Sequence, residues 1–162
     1  MDAVAYIHER GIIHRDLKLA NVLIDEEDDL RSIKIIDFGF GNCQKLSNAS
    51  YDDHVGTLKY MAPEVAGKAE YTKSVDIWAI GIIMHIILSG GVHPLYDKET
   101  DNAETFAIKL ANVKKIDAGP SLSWLAKNLF SRLTMIQAHQ RYTAKDAMRH
   151  PWITRKQQSK IP

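Results

Sequence analysis

Three side chains define the chemistry open to this chain: Asp16, Asn21 and Asp37. They fall in one stretch, Ile13 to Gly39, which reads IHRDLKLANVLIDEEDDLRSIKIIDFG. Between Asn21 and Asp37 lie an apolar triplet (Val22-Leu23-Ile24), an acidic, turn-like DEEDDLRS and a second apolar run (Ile33-Lys34-Ile35-Ile36). Two short β-rich runs around a polar connection predict a hairpin. Paired antiparallel, the strands would bring Asn21, ahead of the first, and Asp37, behind the second, to the hairpin's open end. An amide oxygen and a carboxylate side by side, with Asp16 five residues upstream of the amide, suit Mg²⁺. That ion favours one or two carboxylates plus substrate phosphates.

The remaining elements must hold this stretch in place. Residues 2 to 10 predict a helix with Val4, Ile7 and His8 on one face and Gly11 as its stop. Phe40 to Val55 is polar and turn-rich, as a surface loop is. A helix from about Ser74 to Ser89 is apolar nearly all round, which fits the centre of a domain. Asp76 sits at its start, where the dipole favours an acid, and Gly90-Gly91 ends it. A polar loop over 92–101 leads to an amphipathic helix near Ala103 to Val113. Ser121 to Met135 carries Leu122, Leu125, Leu129 and Leu133 at helical spacing for core packing. Thr143 and Asp146 form a capping box for the last helix. Asp97, Glu99 and Asp101 lack the glycine and glutamate of a calcium loop, and Asp25 to Asp29 fails the same test. His8, His54, His85, His93, His139 and His150 have no metal-like grouping and read as ordinary.

A length of 162 residues suits one domain with a real core. Apolar content of 45% and charged content of 25% are ordinary for a soluble globular protein. A net charge of +1 gives no indication of a nucleic-acid partner or an anionic membrane. The single cysteine, Cys43, excludes an internal disulfide framework and suits a reducing, intracellular and cytoplasmic setting. The N-terminus lacks the basic and apolar regions of a signal peptide. The longest apolar run, Ile77 to Leu88, is too short to span a membrane. Asn48-Ala49-Ser50 fits the glycosylation pattern, but without a secretory signal it reads as chance.

His14 to Asn21 fits the pattern H-R-D-L-x-x-x-N in full; Asp37-Phe38-Gly39 and Ala62-Pro63-Glu64 follow in order. On these motifs, nearly the whole chain resembles the eukaryotic serine/threonine protein kinases. Leu88-Ser89-Gly90 and the closing His150-Pro151-Trp152-Ile153 are most similar to the calcium/calmodulin-dependent kinase group. The resemblance implies a mainly α fold: the C-terminal (large) lobe of a kinase domain, a helical bundle with short β-hairpins at its catalytic edge. That lobe would occupy 1–153, with a polar basic tail over 154–162.

It also implies a reaction, transfer of the ATP γ-phosphate to a serine or threonine hydroxyl of a protein substrate, with Mg²⁺. Asp16 would accept the hydroxyl proton and Lys18 steady the γ-phosphate, while Asn21 and Asp37 hold Mg²⁺. Leu23, above Ile83 and Ile87, would support the adenine ring. Lys18, and Thr57 with a hydroxyl bridging the catalytic Asp and Lys, favour serine/threonine over tyrosine. His14, Phe38 and Asp76 match a stacked regulatory spine, and Glu64 with Arg141 a structural ion pair. Phe40 to Val55 would be the activation segment, with Asp53, beside Asp52, as a partial substitute for a phosphorylated residue pairing with Arg15.

The chain departs from the family pattern in three ways. No glycine-rich phosphate loop, strand lysine or partner glutamate precedes the first helix, so the N-terminal (small) lobe is absent from these residues. The expectation is a chain inactive alone, open to a partner that supplies that lobe, with Val4 and Ile7 under-covered. Leu19-Ala20 stands where basophilic members carry Pro-Glu, so a carboxylate for a substrate arginine is missing. The GVHPLYDKETDNAE segment is unusual. The alternatives are a pseudokinase-like binding module that docks a partner and catalyses nothing, or a fragment with no separate function.

Overall fold

The computed structural model describes residues 1–25, 32–38, 58–70 and 72–154. Thr57, Cys43, the 40–55 segment with Asp52 and Asp53, and the 155–162 tail lie outside the described residues.

Helix α1 runs Asp2–Glu9 and the chain turns away at Gly11, whose φ of +77° is one that glycine adopts without penalty. Strands β1 (Val22–Ile24) and β2 (Ile33–Ile35) pair antiparallel with Val22 opposite Ile35 and Ile24 opposite Ile33. They form a single two-stranded sheet among the described residues. A short helix, α2 (Pro63–Ala66), has proline at its first position, where a missing N–H costs nothing.

The centre is α3, Ser74–Leu88. Its apolar residues point in all directions because the rest of the chain wraps it, and Trp78 and Ile82 have no exposed surface. Helix α4 (Ala103–Ala111) packs against α2 and buries Phe106 and Leu110. Helix α5 (Trp124–Leu133) packs along α3 through Leu129, Phe130 and Leu133. It starts three residues later than the leucine spacing predicts, because the Ser123 side chain caps it by accepting from Ala126 N. Leu122 is buried even so, from the turn before the helix. Helices α6 (Ala144–Met148) and α7 (Pro151–Thr154) close the fold, with the predicted Thr143–Asp146 capping box in place.

Val4 and Ile7 are not under-covered. They are 2% and 8% exposed because α1 lies against α6. Exposed apolar residues occur at the hairpin, where Leu23, Ile24, Ile33, Ile36 and Phe38 are each 39–52% exposed, and also singly at Tyr6, Ile87, Val92, Ile108 and Trp124. No helix of the described residues is long and apolar enough to cross a membrane.

Candidate active site

Between α1 and β1 the only regular structure is one 3-10 turn, Leu19–Asn21, so something outside must fix the path of the residues before it. That anchor is Asp76 in the first turn of α3. Its carboxylate accepts from His14 N and Arg15 N, each at 2.9 Å, and meets His8 Nε2 at 2.8 Å. Asp76 is 1% exposed, so three hydrogen bonds answer for a buried charge. Arg15 is held at φ +71°, a conformation that costs a non-glycine residue about 1 kcal/mol or more. The two amides bound by one carboxylate over-determine that turn.

His14 ties the loop to the hairpin. Its Nδ1 accepts from Asp16 N at 3.3 Å, which leaves Nε2 to donate to Ile36 O at 3.0 Å. Its ring centroid lies 4.7 Å from that of Phe38. The Asp16 carboxylate is consequently placed with little freedom. Lys18 Nζ donates to its Oδ2 at 2.7 Å, and Asn21 Nδ2 to the same oxygen at 3.1 Å and to Asp16 O at 2.8 Å. Asp16 and Asn21 are both 5% exposed. Both side-chain hydrogen bonds to the carboxylate fall on Oδ2.

The hairpin's open end is as the sequence predicts. Ile36 N donates to Asn21 O at 3.0 Å, extending the ladder one step and setting Asp37 beside Asn21. Asp37 is exposed and has φ +63°, a second left-handed non-glycine residue in this small region. The Asn21 amide nitrogen is committed to Asp16, so the metal-ligand candidates are the Asn21 oxygen and the Asp37 carboxylate. Both are hard oxygen donors of the kind Mg²⁺ takes together with phosphate oxygens.

A cavity of about 50 Å³ opens beside Asp16. Arg15, Asp16 and Leu17 line it together with Tyr60, Met61 and Ala62. Behind it, Glu64 of α2 forms a bidentate pair with Arg141, both contacts at 2.6 Å. Arg141 also donates to the carbonyls of Met135, Ser74 and Ile136, and its guanidinium carbon lies 4.9 Å from the Trp78 ring centroid.

The structure therefore brings Asp16, Lys18 and Asn21 together, and Asp37 follows Ile36, whose amide bonds Asn21 O. Leu23 lies on the hairpin, 47% exposed, and Ile83 is partly buried against the core. Ile87, assigned beneath Leu23, is 62% exposed. Thr57 lies outside the described residues. Sequence reasoning passed over His8 and His93 as ordinary. His8 could have been found, since an imidazole on the buried face of a helix needs a polar partner.

Residues 1–153 match the family described as the protein kinase domain. The ribosomal protein S6 kinase 2 alpha of Gallus gallus is 35% identical over 157 residues, covering 94% of this chain and 21% of that protein. The CaM kinase-like vesicle-associated protein of Danio rerio is 40% identical over 162 residues, 95% of this chain and 36% of that one. For the protein of the same name in Homo sapiens the values are 39% over 164 residues, 95% and 32%. The chain spans between 21% and 36% of the length of these relatives.

Proposed function

The chain belongs to the protein kinase domain family, and from that premise we propose that residues 1–153 are the C-terminal lobe of a serine/threonine protein kinase. In this reading the lobe serves transfer of the ATP γ-phosphate to a serine or threonine hydroxyl of a protein. The observation that carries the proposal is the Asp16–Lys18–Asn21 cluster, held from behind by Asp76. The two named sets of relatives, S6 kinases and CaM kinase-like proteins, support the same group.

Phosphoryl transfer needs positioning and charge neutralisation more than covalent help. The Asp16 carboxylate orients the substrate hydroxyl and takes its proton as the oxygen attacks. Asn21 holds the carboxylate in place through Oδ2. Lys18, 2.7 Å from the same oxygen, brings a positive charge to where the γ-phosphate carries negative charge. Asn21 and Asp37 would hold Mg²⁺, which neutralises the phosphates when bound. Leu23 would meet the adenine ring, and Thr57 would bridge Asp16 and Lys18. Leu19-Ala20 offers no carboxylate, so a substrate arginine finds no ion pair there.

The binding-module alternative has one observation in its favour, the exposed apolar residues of the hairpin. In the kinase reading a small lobe covers them; in the other a partner does. Nucleotide binding separates them. When a kinase small lobe is fused ahead of residue 1, Asp37→Ala is expected to weaken ATP binding with Mg²⁺ more than without it. Equal weakening removes Asp37 from metal binding, and no ATP binding by the unsubstituted fusion favours the binding module.

A further inference from the structure

The loop after α3 reaches the site through one imidazole ring. His93 Nδ1 accepts from Leu95 N at 3.0 Å and Tyr96 N at 2.7 Å. With that nitrogen facing two N–H groups, the proton sits on Nε2, which donates to Lys59 O at 2.7 Å. A second proton on Nδ1 would confront both donors, so only the neutral ring satisfies all three bonds. Burial keeps it neutral, pushing His93 down to about 4. Tyr96 and Phe106 pack edge-on to the ring, with centroids 6.2 and 5.8 Å away.

The same loop grips Lys59 a second time, since Lys59 Nζ lies 4.2 Å from the Tyr96 ring centroid. Lys59 belongs to a turn closed by Met61 N donating to Leu58 O at 3.1 Å, with Leu58 buried beneath it. The next residues, Tyr60, Met61 and Ala62, line the same small cavity as Asp16.

We propose that His93 is a positioning residue for the protein substrate. Through the Lys59 carbonyl it fixes the Leu58–Ala62 wall, against which a substrate residue rests while its hydroxyl meets Asp16. This rests on the kinase reading above. His93 itself touches neither substrate nor nucleotide. The proposed metal ligands are carried on the hairpin, so the effect falls on the protein substrate and spares ATP.

Two variants separate the strut from the turn. In His93→Asn the amide oxygen stands near the position of Nδ1 and keeps accepting from Leu95 and Tyr96, but the side chain is too short to reach Lys59 O. In His93→Gln the amide nitrogen reaches that carbonyl. Hydrogen exchange on the 162-residue chain is expected to quicken about tenfold or more at Tyr60 and Met61 in His93→Asn, with Leu95 and Tyr96 amides unchanged. His93→Gln should return Tyr60 and Met61 toward their original rates. With a small lobe fused, His93→Asn should raise KM for a serine peptide that the unsubstituted fusion phosphorylates, leaving KM for ATP unchanged. Unaltered exchange at Tyr60 and Met61 overturns the strut. Equal rises in both KM values, or an unchanged peptide KM, overturn the substrate role. No phosphate transfer by the unsubstituted fusion overturns the kinase reading instead.

Discussion

A carboxylate 1% exposed must be neutralised or hydrogen-bonded, and the partners of Asp76 are what shape the turn at His14 and Arg15. Its place in the first turn of α3 suggests a dipole role from sequence, but its partners lie 61 to 68 residues away and no local pattern reveals them. Asp16, Lys18 and Asn21 were legible for the opposite reason, since their bonds span five residues or fewer. His93 was missed because its target, Lys59, lies 34 residues upstream. Asp76→Asn keeps the shape but turns one acceptor into a donor facing a donor. It should cost about 1–3 kcal/mol in chemical denaturation; stability within experimental error of the parent would mean the carboxylate is not what holds the loop. Glu64→Ala leaves the fully buried Arg141 guanidinium without its carboxylate. The expected loss is about 3 kcal/mol, the low end for a broken buried pair, because three carbonyls still accept from it.

Elements were more legible than their contacts. The all-round apolar pattern of α3 announced a central helix, and β1 and β2 paired as predicted. What the pattern could not show is how closely α3 and α5 approach. A Cβ on Gly81 would lie 2.6 Å from Thr134 Cγ2 and 3.0 Å from Leu133 Cβ. Thr134 cannot easily yield, as its hydroxyl is bonded to Phe130 O at 2.8 Å. Gly81→Ala should therefore destabilise by about 1–3 kcal/mol despite its better helix propensity; a stabilised variant would mean the two helices can separate freely.

The loop that follows α3 gives the fold a pH dependence. His93 has its proton affinity lowered to about 4 in the folded chain, from an ordinary 6.5. The unfolded chain thus takes up the proton first as pH falls. The stabilisation is complete above pH 6.5, declines through the window down to about 4 and is gone below it. The two values differ enough for a loss of about 3 kcal/mol. His150, also lowered by burial, contributes with the same sign. His93→Asn should flatten urea-unfolding stability across that window, and an unchanged slope would assign the acid sensitivity elsewhere.

At the scale of the molecule, the hairpin with Phe38 gathers several of the exposed apolar residues, while Val4 and Ile7 of the first helix are covered. Sequence reasoning expected exposure at Val4 and Ile7 because it could not foresee α6 packing across them. Contiguous apolar surface favours association. Studied by itself, the 162-residue polypeptide should self-associate, show little ATP-dependent stabilisation and phosphorylate no protein at a useful rate. Changing the paired Ile24 and Ile33 to lysine should shift it toward monomer in sedimentation experiments. Undiminished association would place the sticky surface elsewhere.

The most direct test of the catalytic assignment is transfer of labelled γ-phosphate from ATP to a protein serine by this chain fused to a kinase small lobe, with and without Asp16→Asn. The expected result is transfer by the unsubstituted fusion and a loss of at least about a hundredfold in turnover for the variant, with ATP affinity preserved. Near-normal turnover by Asp16→Asn would contradict the role given to Asp16.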